Sequence, residues 1–590
     1  MWNFKVGYLL VFVVLLSSLV IGTEITNPSV VSSMGVEVVQ SGILTVGDGV
    51  IDATLDLYIP QQNDFQKRLS LEVNSNDYDI IRDKYGNEFL RITWKNPDSV
   101  INFEVKVVVD VFRSEISSSK DQVFFINPTE LVDSSNSDVI NKAEQIIVGK
   151  KTDFEKVAEI SKWVHNNLEY DLNYKDVNIS ASETLKNGKG VCSEYSVLFQ
   201  GLARAIGFET RSVLGWVISQ YDEPYEFQAH SWSEVKLGDY YIPIDSTWGE
   251  GGMVDATHIR FASFPDSIYK EALTRVTART SVDKPSIDLE TKVNVLSFTE
   301  ESAIDIESVL LDEEVWDGSV VVKTKLKSDE CVLLKIRSIS CGADNKDFFN
   351  VRKNKDIVYF CGETNYFSIF DLPDDLKSNT AYTCPVTIAS NFGGQETLTV
   401  KMKRGSETGN PKLVVSSDSV IPGEKITIES DENDIFSSTG EYGNGKLEIT
   451  SGGSDFIVYS YSNGGLNSQK VSVVSSKPFS LSLDMNETMI SGKNYSVNVT
   501  VKNLLEENQI IILKLGNISK EIAISPSSST MSPLSITADS DLIQVFANNG
   551  EFSTSSAKSV DLVIQKNGLD FIFDIINSVI ERILFIVDGI

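Results

Sequence analysis

One cysteine, Cys192, lies in the string NGKGVCSEYSVLFQGLARAIGF. Gly188 and Gly190 precede it. Tyr195, Phe199, Leu202 and Ile206 then recur at helical spacing until Gly207 supplies a stop. This pattern predicts that Cys192 sits in the first turn of a helix, where open N–H groups and the positive end of the dipole favour thiolate over thiol. The same N–H groups can hold an oxyanion. Thiolate chemistry on an acyl group needs a base that takes the thiol proton and returns it to the leaving group. The chain has three histidines, so the search is short. His230, in QAHSWSEVKLG, precedes a strand-like run, and Asp245 ends another in YYIPIDSTWGE. Two adjacent antiparallel strands would bring Asp245 beside His230, where a carboxylate holds the ring in one tautomer and stabilises imidazolium. Cys192, His230 and Asp245 are therefore the candidate catalytic residues: nucleophile, base and orienting acid. Taken singly, each has a blander reading as a small buried residue, a structural imidazole and a turn residue. The set in this order, with glycines before the cysteine, argues for chemistry.

The elements around these residues follow from periodicity. VINKAEQIIVG and FEKVAEISKWVHNNL carry apolar residues at helical spacing, including Val157, Ile160, Val164 and Leu168. A third helix is expected from Cys192, followed by strand-like runs at TRSVLGWV and YYIPIDSTW. Helices followed by strands indicate an α+β domain over 136–282. Residues 24–135 alternate in short runs, as in INFEVKVVVDVF, and predict an N-terminal β-sandwich. After 285 the β-pattern returns. Three sandwich modules are expected at 285–405, 406–473 and 474–565, with breaks where Gly, Ser and Lys cluster.

The strings GKGVCSEYSVLFQGLARAIGFETRSVLGW, AHSWSEVKLGDYYIPIDSTW and EISKWVHNNLEYD resemble the transglutaminase-like superfamily. That family includes cross-linking transglutaminases, peptide N-glycanases and microbial proteins thought to be proteases. The resemblance covers about 136–265. It implies a papain-like Cys-His-Asp core with Cys192, His230 and Asp245 in the roles above. Arg204 and Gly207 would shape the nucleophile helix, and Trp232 and Trp248 would pack the strands. The family's second oxyanion donor has no secure counterpart; Trp163 or Tyr170 borders the cleft or belongs to the core. His258, in DATHIRF, is a candidate neighbour of the site, and His165 is expected on a helix surface. The compact core leaves no room for long calcium-binding insertions, so neither cofactor nor metal is implied. The fold class that follows is multidomain: an α+β, papain-like and transglutaminase-like core flanked by Ig-like β-sandwich modules. The function expected is a cysteine hydrolase or acyltransferase that attacks peptide or side-chain amides through an acyl-thioester on Cys192. Hydrolysis is favoured over amine transfer, because no cross-linking accessory feature is evident. The alternative is a non-enzymatic surface or adhesion protein that keeps the domain as a scaffold.

Composition limits the partners. The 590 residues carry a net charge of −31, which repels phosphate backbones and argues against nucleic acid. A protein or peptide substrate is expected, and oligomeric state is not readable. Residues 1–22 place Lys5 before an uncharged run from Val6 to Ile21, a signal peptide or N-terminal anchor. Residues 567–590 read as an amphipathic helix with a polar stripe of Asp570, Asp574, Asn577, Ser578, Glu581, Arg582 and Asp588. Both ends are candidates for membrane association. Cys331, Cys341, Cys361 and Cys384 crowd one β-patterned stretch and predict two disulfides in one of three pairings. No CxxC pair occurs, which disfavours zinc. Cys192 is then left over. Five glycosylation sequons, at Asn178, Asn486, Asn494, Asn498 and Asn517, fit an exported glycoprotein at the cell surface or beyond it.

Overall fold

The computed structural model describes residue 25 and residues 27–563, except positions 76, 121, 176, 220–225, 268–270, 280–282, 317, 342–348, 353–354, 374–376, 378–379, 404–409, 475 and 551. The apolar stretch at 1–22 and the terminal helix expected at 567–590 lie outside the described residues. Among the described residues no helix is long and apolar enough to cross a membrane.

Six strands come first: β1 (Val31–Thr45), β2 (Val50–Tyr58), β3 (Gln66–Val73), β4 (Tyr78–Arg82), β5 (Glu88–Lys95) and β6 (Val100–Phe112). Four helices follow: α1 (Ser137–Ile146), α2 (Asp153–Asn167), α3 (Ala181–Asn187) and α4 (Cys192–Ala205). Then come β7 (Thr210–Ile218), β8 (Phe227–Leu237), β9 (Tyr240–Asp245), β10 (Glu250–Gly251), β11 (Ile259–Phe264), β12 (Ala272–Ala278) and β13 (Ser286–Glu300).

The N-terminal sandwich pairs two four-stranded sheets, β13–β1–β6–β3 and β12–β2–β5–β4. Period-two burial drives it: Ile101, Phe103, Val105, Val107, Val109 and Val111 of β6 all point inward. Two of its strands arrive only after the α+β segment. β12 pairs with β2, and β13 runs along the whole of β1. The break expected at 282–285 therefore falls between two strands of this sandwich. Alternation identifies a strand but not its partner, so this long-range pairing was not readable.

The helices are capped by their own sequence. Asn136 accepts from the Asp138 N–H, and Thr152 with Glu155 and Ser180 with Glu183 form capping boxes. α3 is additional to the three helices expected. Its seven residues are too few to show a period.

β11–β7–β8–β9–β10 form one antiparallel run that continues into a long strand, β14 (Ser319–Ser340), where Gly251 pairs with Leu333. The helices cover one face, where Val157, Leu198, Phe199 and Leu202 share a core with Val235 of β8 and Ile244 of β9. The N-terminal sandwich covers the other, where Val36, Val38 and Val109 meet Ile259 and Phe261. Burial on both faces explains why nearly every residue of β7 is inside.

β14 pairs with β15 (Lys355–Asp371) and β16 (Ala381–Ser390), and β16 with β17 (Gln395–Lys403). The two disulfides take one of the three open pairings, Cys331–Cys361 and Cys341–Cys384. Two disulfides fit folding in an oxidising compartment. Residues 414–473 and 479–563 add two further β-units with separate cores, around Ile428 and Val458 and around Val499 and Leu513.

One glycine in this frame is set by close approach. Gly215 pairs with His230 across β7 and β8, and a Cβ there would lie 1.9 Å from the Ile259 carbonyl oxygen and 3.1 Å from the Trp232 ring. Gly215→Ala is expected to cost about 2 kcal/mol or more through overpacking between strands. A fall in the melting temperature of the α+β unit checks it; an unchanged melt would show that β11 can shift.

Candidate active site

Cys192 opens α4. The Glu194 carboxylate reaches back to accept from the Val191 N–H at 2.9 Å, which fixes the entry turn. The turn can close only over a glycine, because a Cβ at position 190 would lie 2.3 Å from Glu194 Cβ. Every residue from Glu194 to Arg204 is buried, so α4 is enclosed on all sides and not on one face alone. Its polar side is satisfied internally. Ser196 meets Ser233 at 2.8 Å, Gln200 donates to Ser212 at 2.9 Å, and Arg204 donates to Thr210 and Gln200 at 2.8 and 2.9 Å. Arg204 thus ties the helix to the sheet, while Gly207 ends it with φ +96°.

β8 and β9 pair as Ser233 with Ile244, so Asp245 stands diagonal to His230 on one face. The His230 Nε2–H donates to Asp245 Oδ2 at 2.7 Å. The Asp245 Oδ1 accepts from the Thr247 and Trp248 N–H groups at 2.8 and 3.3 Å. His230 is also in hydrogen-bonding contact with the Cys192 sulfur, which leaves Nδ1 for that contact. Cys192, His230 and Asp245 therefore form one chain of contacts. His230 and Asp245 are buried and Cys192 is half-buried, so Cys192 is the least enclosed residue of the three. The other four cysteines are in disulfides, so Cys192 is the free thiol of the described chain.

Charge follows from this geometry. Burial works against a charged His230 ring, but Asp245 and the Cys192 sulfur outweigh it, and the ring is pushed up to about 9. Burial likewise opposes the Asp245 carboxylate, yet His230 and His258 hold it well below the usual range. Trp248 stacks on the His230 ring with the ring centres 4.7 Å apart, a face that favours the charged imidazole.

The remaining sequence candidates fall in different places. Tyr170 borders the site: its hydroxyl meets the Cys192 main-chain N–H, and burial and the Cys192 sulfur raise it. Trp163 is partly buried against the helical core, under Lys142. Trp232 packs edge-on against His258 at 5.1 Å. His258 is inside the site, with Nε2 at 3.4 Å from Asp245 Oδ2. His165 corrects the expectation of a surface residue. It turns inward to the Ser246 carbonyl at 3.1 Å, and burial lowers it to about 4. Glu250 and Asp255 escaped the sequence reading. The available signal was two acids within eight residues of His258 in the apolar string EGGMVDATHIRF.

Ligand-type atoms of His230, Asp245 and His258, and of Glu250, Asp255 and His258, lie within 4.8 Å of one another. Spacing alone would admit a cation. Both ring nitrogens of His258 face carboxylate oxygens at 3.4 Å, and His230 faces a carboxylate and a sulfur, so the contacts these imidazoles make in the structure are with protein groups.

Residues 140–246 match the family model described as the transglutaminase-like superfamily. This segment belongs to that superfamily. The kyphoscoliosis peptidase of Mus musculus is 27% identical over 172 residues, which is 26% of this chain and 25% of that protein. The Homo sapiens protein of the same name is 28% identical over 131 residues, 20% of this chain and 19% of that protein. The match thus spans a quarter or less of the length of these curated relatives. Among solved structures, a cysteine-protease candidate from Cytophaga hutchinsonii aligns over 45% of this chain and 93% of that one, at 19% identity and TM-score 0.35. Red sea bream transglutaminase aligns over 91% and 95%, at 9% identity and TM-score 0.15.

The contact between Asp245 and His230 sets a measurable limit. Iodoacetate alkylates a thiolate faster when a neighbouring imidazolium attracts its carboxylate, so its rate falls as that ring loses its proton. In the transglutaminase-like domain the fall is expected near pH 9. In Asp245→Asn it should move down by about 1 to 3 pH units, because the charge that holds the ring proton is gone. A pH profile of Cys192 labelling checks this.

Proposed function

We propose that the chain is a cysteine enzyme that attacks peptide or side-chain amides through an acyl-thioester on Cys192. The observation that carries the reading is the unbroken run of contacts from sulfur to imidazole to buried carboxylate. The Cys192 thiolate adds to the amide carbonyl. The oxyanion forms at the start of α4, where it takes over the Cys192 N–H from the Tyr170 hydroxyl that accepts it in the structure. His230 gives its proton to the departing amine, and the thioester remains on sulfur. Water then adds, His230 takes its proton, and the acid leaves as thiolate and imidazolium re-form. An amine in place of water would give transfer by the same groups. We favour hydrolysis, since the sequence carries no evident cross-linking accessory feature. A scaffold without activity has no physical need for a buried carboxylate facing an imidazole next to a free, half-buried cysteine.

The compartment belongs to the same proposal. Two disulfides and the uncharged run at 6–21 support export to the cell surface or beyond it. The substrate class, protein or peptide, follows from the chemistry of an acyl-thioester site.

An acyl-donor assay with and without a labelled amine tests the function. Release of acid without amine incorporation is expected. Cys192→Ala should abolish turnover, and His230→Gln should lower kcat/KM by about 10^3. Unchanged turnover in Cys192→Ala would end the proposal, and incorporation of amine in preference to water would reverse the choice between the two outcomes.

A further inference from the structure

Three titratable groups behind Asp245 have no part in the steps above: His258, Asp255 and Glu250, all buried. His258 stands between two carboxylates. Its Nε2 is 3.4 Å from Asp245 Oδ2, and its Nδ1 is 3.4 Å from Asp255 Oδ1. A neutral imidazole has one N–H and one lone pair, so it would turn a lone pair toward one of these oxygens; the imidazolium donates to both. Asp255 is itself fixed, since its Oδ1 accepts from the Thr257 N–H at 2.8 Å and the Thr257 hydroxyl at 2.6 Å. Its other oxygen is buried with no partner. Asp245 Oδ2 therefore serves two rings, at 2.7 Å to His230 and 3.4 Å to His258, whose ring centres are 6.0 Å apart.

We propose that His258, held as a cation between Asp255 and Asp245, is a positioning residue that shares the Asp245 carboxylate with His230 and so limits how tightly Asp245 retains the His230 proton. The inference rests on the thiol-enzyme reading of the site and deepens it. An imidazole bound too tightly to its proton is a poor donor to the leaving amine; a second cation on the same carboxylate weakens that hold.

The groups that face His258 agree. Asp255 lies in the turn before β11, Asp245 ends β9, Glu250 begins β10, and His230 lies on β8. From the segment after β6, Arg113 acts on Asp255, and Glu115 borders the cleft that His258 lines. Burial opposes the charge on His258, yet Asp255 and Asp245 overcome it and push the ring up to about 10. Glu250 is pushed up to about 8, by burial first and Asp255 second, and its charge adds to the hold on the His258 cation.

The test reads the ring of His230 without requiring turnover. Iodoacetate labelling of Cys192 in the full chain is followed against pH for the native protein, His258→Gln, Asp255→Asn and the double variant, with thermal melts as a control for folding. Removing the cation leaves Asp245 to His230 alone. The falling limb should then move up by about one pH unit in either single variant. The double variant should move no further than His258→Gln, since Asp255 acts through His258. A structural role alone would change the melt or the plateau rate but not the limb. A limb that stays in place in a folded His258→Gln or Asp255→Asn overturns the inference. So does a native limb that shifts on chelator treatment, which would place a metal where the imidazolium is invoked. Native labelling no faster than a free model thiol would instead strike the thiol-enzyme reading itself, and the two failures are thereby separated.

Discussion

The interaction on which the rest depends is one carboxylate kept from water. Asp245 has no exposed surface, and a bare buried charge of this kind would cost several kcal/mol. The fold surrounds it with compensation on both oxygens: two main-chain N–H groups on Oδ1 and two imidazoles on Oδ2. Those partners come from three pieces of chain, namely β8, the turn after β9 and the residue just before β11. The contacts of Asp245 thus bring these pieces together, and its charge raises the affinity of the His230 ring for a proton.

Two layers keep that carboxylate dry. The helical layer brings α4 and the sulfur to one side of the strand run, and the N-terminal sandwich closes the other through β1, β6 and the apolar residues of β11. The sandwich is built from both ends of the α+β segment, with β12 and β13 returning to pair with β2 and β1. The α+β unit is thereby clamped at entry and exit. The strands that carry His230 and Asp245 cannot open without disturbing a long ladder elsewhere.

The sequence made the site legible because its chemistry is local. Gly190, Cys192 and the period of α4 are read within twenty residues, and with three histidines the choice of a candidate base was short. His258 was placed as a neighbour by its closeness to Asp245 in the chain. Distance in sequence marks where the reading stopped. The pairing of β13 with β1 joins segments some 250 residues apart, and alternation does not name a partner. His165 looked like a surface residue because its helix face was judged from nearby periodicity; only the packing of the turn between β9 and β10 against α2 reveals the Ser246 carbonyl. Glu250 and Asp255 were silent because acids are ordinarily exposed. Their burial follows from the two sheets closing over them.

The downstream four-cysteine module also belongs to the support of the site. Gly251 joins β10 to β14, and the Asn391 side chain donates to Glu250 Oε1 at 3.0 Å. Glu250 and Asp245 are paired residues of β10 and β9. A side chain from residues beyond 385 therefore holds an acid that stands directly across from the carboxylate bracing His230. Asn391 in turn accepts from the Lys335 N–H at 2.6 Å, which fixes its amide on β14. The family match ends at residue 246, yet the hydrogen bonds that complete the charge arrangement do not. The unit that can keep Asp245 buried runs from β1 through the four-cysteine module, and its electrostatics belong to the whole of that span.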